Sequence, residues 1–106
     1  MTSREERIGR NEGLFREVNE RIKELTWSHD NAEFLCECGS ETCAEPIRLL
    51  LTDYETVRAD PRRFAIVPGH DIPDVERVVE EREHYAIVEK LPGIPSEVAT
   101  ETDPRS

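Results

Sequence analysis

The sequence predicts an α+β fold: an N-terminal amphipathic helix packed on a small, mostly antiparallel sheet, with one short internal helix and a metal staple. Three observations predict it. Apolar residues recur at helical spacing up to about Leu25. Beyond that point, short apolar runs alternate with turn residues. All three cysteines fall within eight residues, Cys36-Glu37-Cys38-Gly39-Ser40-Glu41-Thr42-Cys43.

The helix comes first. Ser3-Arg4-Glu5-Glu6 has the spacing of a capping box, in which a hydroxyl and a carboxylate satisfy each other's helix-end amides. Ile8, Phe15, Val18, Ile22 and Leu25 then form one apolar stripe, widened by Leu14. Glu12 and Arg16 stand four residues apart, the spacing of a favourable ion pair. Gly9 and Gly13 each cost about 1 kcal/mol inside a helix. Residues 1–10 are therefore expected to be flexible, the firm helix to occupy about 11–25, and a single domain to span 11–91. The stripe either packs on the protein's own sheet or offers a seam to a second helix. A polar connection follows, carrying Trp27 and His29; the indole either folds onto the domain edge or anchors a partner.

Glu33 to Cys38 reads as a strand with Phe34, Cys36 and Cys38 on one face. Gly39-Ser40-Glu41 turns the chain, and Pro46 to Leu51 returns as a second strand. Thr52-Asp53-Tyr54-Glu55 is a second capping box, opening a short helix that Asp60-Pro61 ends. Phe64 to Val67 is a third strand, closed by Pro68-Gly69. Val75 to Glu81 and Tyr85 to Glu89 supply two more. Residues 92–106 read as a largely disordered tail in which Ile94 and Val98 are able to dock.

The cysteine cluster carries the chemistry. Three thiolates on a short loop plus one imidazole complete the four ligands of a structural zinc site. The set is Cys36, Cys38, Cys43 and His70, with His29 and His84 as competitors for the fourth place. A disulfide between Cys36 and Cys38 is disfavoured, because residues two apart in an extended strand lie near the upper limit of disulfide reach. The same ligand set suits a [2Fe–2S] cluster. It is similar to the small iron–sulfur domains named for their Cys-Asp-Gly-Ser-His motif, but here Ala44-Glu45-Pro46 follows Cys43 and the next histidine is 27 residues on. Four protein ligands leave no open position for catalysis, and the chain has no His-Glu-x-x-His segment, glycine-rich phosphate loop or nucleophile elbow. The expectation is a non-enzyme.

Of 106 residues, 24 are acidic and 14 basic, a net charge of −10, which opposes binding to phosphate backbones and anionic bilayers. The best basic patch is Arg58 with Arg62 and Arg63, whose plainer reading is a solvated helix end. No apolar run approaches the ~20 residues of a membrane span. The first residues lack a signal peptide's apolar core, which places the protein in the cytoplasm, where thiols stay reduced.

Asn11-Glu12, Phe15-Arg16, Val18-Asn19-Glu20, Phe34-Leu35-Cys36-Glu37-Cys38, Tyr54-Glu55, Val57-Arg58-Ala59-Asp60-Pro61, Pro68-Gly69-His70, Glu76-Arg77-Val78-Val79 and Val88-Glu89-Lys90 together resemble a family of short, uncharacterised actinobacterial proteins with a C-x-C-x4-C…P-G-H pattern. The resemblance implies that the cysteines and Pro-Gly-His belong to one set, and implies no mechanism. The expected function is a small cytosolic zinc domain serving protein interaction or regulation, with Phe15, Val18, Ile22 and Trp27 as the contact surface of a monomer or weak dimer. The alternatives are a thiol redox or metal sensor and a [2Fe–2S] protein.

Overall fold

A computed structural model of the chain describes residues 3–25, 31–40 and 42–105. The elements in order are α1 (Arg4–Leu25), β1 (Asn31–Leu35), β2 (Pro46–Leu50), α2 (Leu51–Arg58), β3 (Arg63–Ile66), β4 (Glu76–Glu81), β5 (Ala86–Lys90) and α3 (Ile94–Glu101). The fold is α+β, as the sequence predicts. Its strands divide into two antiparallel sheets: a β1–β2 hairpin and a three-stranded sheet in the order β3-β5-β4. Trp27 and His29 lie outside the described residues.

The two sheets meet at Glu37. Its N–H donates to the Ala65 carbonyl at 2.9 Å, and the Ala65 N–H donates to Glu37 Oε1 at 3.0 Å. One backbone and one side-chain bond thus cover the open edge of β3, where unpaired strand groups would otherwise seek a partner. Between the sheets lies the core. Phe34 stacks on Tyr54 with centroids 4.3 Å apart and planes 12° from parallel. Leu49, Val57, Phe64, Ile66 and Val88 fill the space around them.

The first correction concerns α1. It begins at Arg4, so residues 4–10 are helical where flexibility was expected. The Glu6 N–H donates to Ser3 Oγ at 3.2 Å, as the capping box requires. Gly9 and Gly13 do not weaken the helix start; they let α3 approach it. A Cβ on Gly9 would stand 2.5 Å from Val98 Cγ1, and one on Gly13 would stand 2.8 Å from Thr102 Cβ. The propensity cost is local, whereas the packing gain comes from the far end of the chain.

The second correction concerns which face is buried. The inward face of α1 is Gly9, Glu12, Gly13, Arg16 and Asn19. Phe15 and Ile22 are half-buried, but Leu14, Val18 and Leu25 are 60%, 43% and 75% exposed. Polar side chains face inward because each meets a specific partner. Lys90 Nζ donates to Glu12 Oε2 at 2.7 Å and to Glu76 Oε1 at 2.6 Å. Arg16 donates to the carbonyls of Pro61 and Ala99, both at 2.6 Å, and its guanidinium lies 4.3 Å from the centre of the Phe64 ring. The expected Glu12–Arg16 pair is therefore replaced by longer-range partners. Buried polar groups are costly unless they find partners; Lys90 is shared between Glu12 and Glu76, and Arg16 is held by two carbonyls and the Thr102 hydroxyl, with its Nε left without a partner.

Three smaller differences follow. Cys36 and Cys38 lie just beyond β1, in irregular backbone. Thr52 sits inside α2, which starts after Leu50 without a side-chain cap. Residues 94–101 form α3 where a disordered tail was expected, with proline in the first turn, where its missing N–H costs nothing. Beyond α3, Asp103 pairs with Arg58, and Arg105 reaches Glu20 and Glu55, tying the chain end to α1 and α2.

Candidate metal centre

The ligand loop is held from three sides. From α1, the Asn19 carboxamide donates to the Leu35 carbonyl at 2.9 Å and accepts from the Leu35 N–H at 2.8 Å, standing in for a neighbouring strand. Asn11 Nδ2 donates to the Gly39 carbonyl at 3.2 Å. From the hairpin, the Cys36 N–H donates to the Glu45 carbonyl at 2.8 Å. From β3 comes the bond between Glu37 and Ala65. Gly39 turns the chain at φ +79°, where a side chain would be strained and would press on Glu12 and Ile8. That turn brings Cys43 back toward Cys36 and Cys38.

Pro68-Gly69 does the same for the imidazole. The His70 N–H donates to the Val67 carbonyl at 3.0 Å, closing a turn immediately after β3. Glu37 of the ligand loop already covers the edge of β3, so this turn delivers His70 to the cysteines. His70 Nδ1 lies 3.7 Å from both Cys36 Sγ and Cys43 Sγ. The four candidate ligand atoms all lie within 4.8 Å of one another. The predicted quartet is brought together. His84 is not part of it; it is exposed in the β4–β5 connection, beside Glu33 and Arg48 of the hairpin.

These residues fit a metal ion. Bond lengths of ~2.3 Å to sulfur and ~2.0 Å to nitrogen give a tetrahedral S···N edge of about 3.6 Å, close to the observed separation. Each sulfur also accepts a backbone N–H: Cys36 from Val67 at 3.1 Å, Cys38 from Ser40 and Cys43 from Glu45. Such bonds favour thiolate over thiol. His70 Nε2, on the far side of the ring, lies 3.8 Å from Glu45 Oε2, so a carboxylate backs the imidazole as outer-shell carboxylates do at metal sites.

Protons are divided unequally among the thiols. A hydrogen bond from Cys36, with help from Ser40 and His70, pulls the Cys38 thiol down to about 4. Its bond to Cys38 and its burial push Cys36 up, and burial pushes Cys43 up. A bound dication would favour the thiolate form of all three.

Glu37 is the residue that sequence reasoning missed. It is fully buried, and Oε2 accepts from Asn19 at 2.7 Å and from the Tyr54 hydroxyl at 3.0 Å. Burial raises its pKa, against the pull of Asn19 and the Ala65 N–H. One signal was available: in extended backbone, a residue between two inward cysteines faces the opposite way, and here that way is toward α1 and α2. The arginines singled out as a basic patch are committed to carboxylates, Arg58 to Glu20 and Asp103, Arg62 and Arg63 to Asp60 and Glu89. No described helix is long and apolar enough to cross a membrane. Compared with family models, curated proteins and solved structures, the chain matches none.

Proposed function

We propose that this chain is a small zinc domain. Cys36, Cys38, Cys43 and His70 form its structural site, and it acts in the cytoplasm as a non-enzymatic protein-interaction or regulatory module. The carrying observation is the close quartet, with His70 Nδ1 3.7 Å from two sulfurs. Three soft thiolates and an imidazole at tetrahedral spacing suit zinc. A [2Fe–2S] cluster divides four ligands between two iron atoms and favours a wider spread than 4.8 Å. A fourfold protein ligand set leaves no position for substrate, which favours a structural role over a catalytic one.

Bound zinc supplies a fixed crosslink whose binding free energy becomes folding free energy. The chain's own part is to hold the loop, through Asn19, Asn11 and Glu37, and to aim the imidazole, through the Pro68-Gly69 turn and Glu45. The exposed row Leu14, Val18 and Leu25 on α1 supports the interaction role. Elemental analysis beside a visible spectrum tests the metal. One zinc per chain in a colourless sample is expected; iron with visible absorption replaces zinc by the cluster, and no metal removes the reading.

A further inference from the structure

The four ligands are not equally protected. Cys36 is fully buried, and its sulfur is pinned by the Val67 N–H. Cys43 is half-exposed, on the loop after the Gly39 turn, where its N–H donates to the Ser40 carbonyl at 3.2 Å. An open depression of ≈ 450 Å³ lies over the site, and the cysteines on its wall are Cys38 and Cys43. Cys36 lies behind them. The sulfurs of these two lining residues are within 4.8 Å of each other, Cys38 being the more buried, and Gly39 between them has positive φ.

Resting on the zinc reading, we infer that the site is also a sensor of peroxide-class oxidants, with Cys43 the attacking sulfur and Cys38 the resolving one. The Cys43 thiolate attacks the peroxide; an S–O bond forms, the O–O bond breaks and hydroxide leaves. Cys43 is thereby oxidised by two electrons to a sulfenic acid, and the peroxide takes those electrons. The Cys38 thiolate then attacks the sulfenic sulfur. An S–S bond forms, the S–O bond breaks and a second hydroxide leaves. Two thiolates have lost two electrons in all. Cys36 and His70, the ligands left, do not close a coordination sphere.

The consequence reaches beyond the loop because Cys38 adjoins Glu37. Drawing Cys38 toward Cys43 pulls on the residue that joins α1 through Asn19, α2 through Tyr54 and β3 through Ala65. Release of the ion is therefore coupled to loosening of α1 from the hairpin.

The test uses the zinc-loaded wild-type protein, with its zinc content measured beforehand. Hydrogen peroxide is added in modest excess, released zinc is followed with a chromogenic chelator, and thiols are mapped by mass spectrometry. The expected result is one equivalent of zinc released, a Cys38–Cys43 disulfide, Cys36 still open to alkylation after denaturation, and zinc rebinding after reduction by a dithiol. Trapping with a sulfenic-acid reagent at early times should label Cys43. Retention of zinc through the peroxide treatment overturns the inference alone, as does zinc loss with no disulfide or with Cys36 in the disulfide. Absence of zinc from the starting protein overturns the metal reading and the sensor with it. A Cys43→Ser variant that still holds zinc should lose peroxide-triggered release; release at the wild-type rate from that variant also overturns the inference.

Discussion

The Asn19 carboxamide pairs with the backbone of Leu35 through both its polar groups, accepting at 2.8 Å and donating at 2.9 Å, and the same nitrogen reaches Glu37 at 2.7 Å. Asn19→Ala leaves half-buried backbone and a buried carboxylate short of partners, at a cost of about 2–4 kcal/mol. Urea unfolding of the zinc-loaded protein reads this directly. Asn19→Asp should cost more, because it sets a second carboxylate against Glu37 and the Leu35 carbonyl. A variant as stable as the wild type would show that the loop is held by other means.

Chelation at neutral pH should lower the melting temperature by more than about 10 °C, since metal binding free energy is folding free energy and each kcal/mol moves a domain of this size by about 4–8 °C. Thermal unfolding by circular dichroism with and without chelator is the measurement. An unmoved curve would separate the metal from the fold.

Glu12 gives a pH dependence of definite sign. Burial raises its pKa from 4.5 to about 8; Lys90 opposes that shift and the Glu76 charge adds to it. The folded state therefore holds this proton more tightly than the unfolded state does. Its contribution is full below pH 4.5 and is lost as pH rises through about 8. Glu12→Gln should match the wild type at the acid end and gain on it steadily across that window. Stability curves of both proteins at matched pH check this, and parallel curves would place the proton elsewhere.

At Gly9 two effects compete. Alanine gains about 1 kcal/mol of helix propensity, but its methyl would meet Val98 at 2.5 Å. Overpacking typically costs about 1–3 kcal/mol, so Gly9→Ala should destabilise on balance. Adding Val98→Ala should recover part of the loss, and a double-mutant cycle measures the coupling.

Leu14 and Val18 make the opposite case. Both are exposed, so Leu14→Lys and Val18→Lys should change stability by less than about 0.5 kcal/mol. Sedimentation of the same variants then reports whether this row holds a weak dimer: if the wild type associates and the variants do not, the row is the contact.

The cysteine quartet was legible because ligand chemistry needs particular residue types, and the turns at Gly39 and Pro68-Gly69 mark where the chain can deliver them. The strands were legible to within two or three residues from their alternation. The buried face of α1 was not. Reading a helix by its apolar stripe assumes that burial follows hydrophobicity, whereas Glu12, Arg16 and Asn19 are buried by partners at Lys90, Ala99 and Leu35. Helix α3 was hidden by Pro95 and the prolines on either side of it, Pro92 and Pro104, although Pro95 stands where a helix begins. Glu37 looked like one more acid in an acidic chain.

The inward face of α1 also bears on how the chain is made. Glu12 waits for a lysine 78 residues downstream, and Arg16 for a carbonyl 83 residues downstream. Asn19 and Asn11 find their partners only 16 to 28 residues on, at Leu35, Glu37 and Gly39. One helix face thus carries an early docking half and a late one, and its buried Glu12 and Arg16 are sealed only when Lys90 and Ala99 arrive.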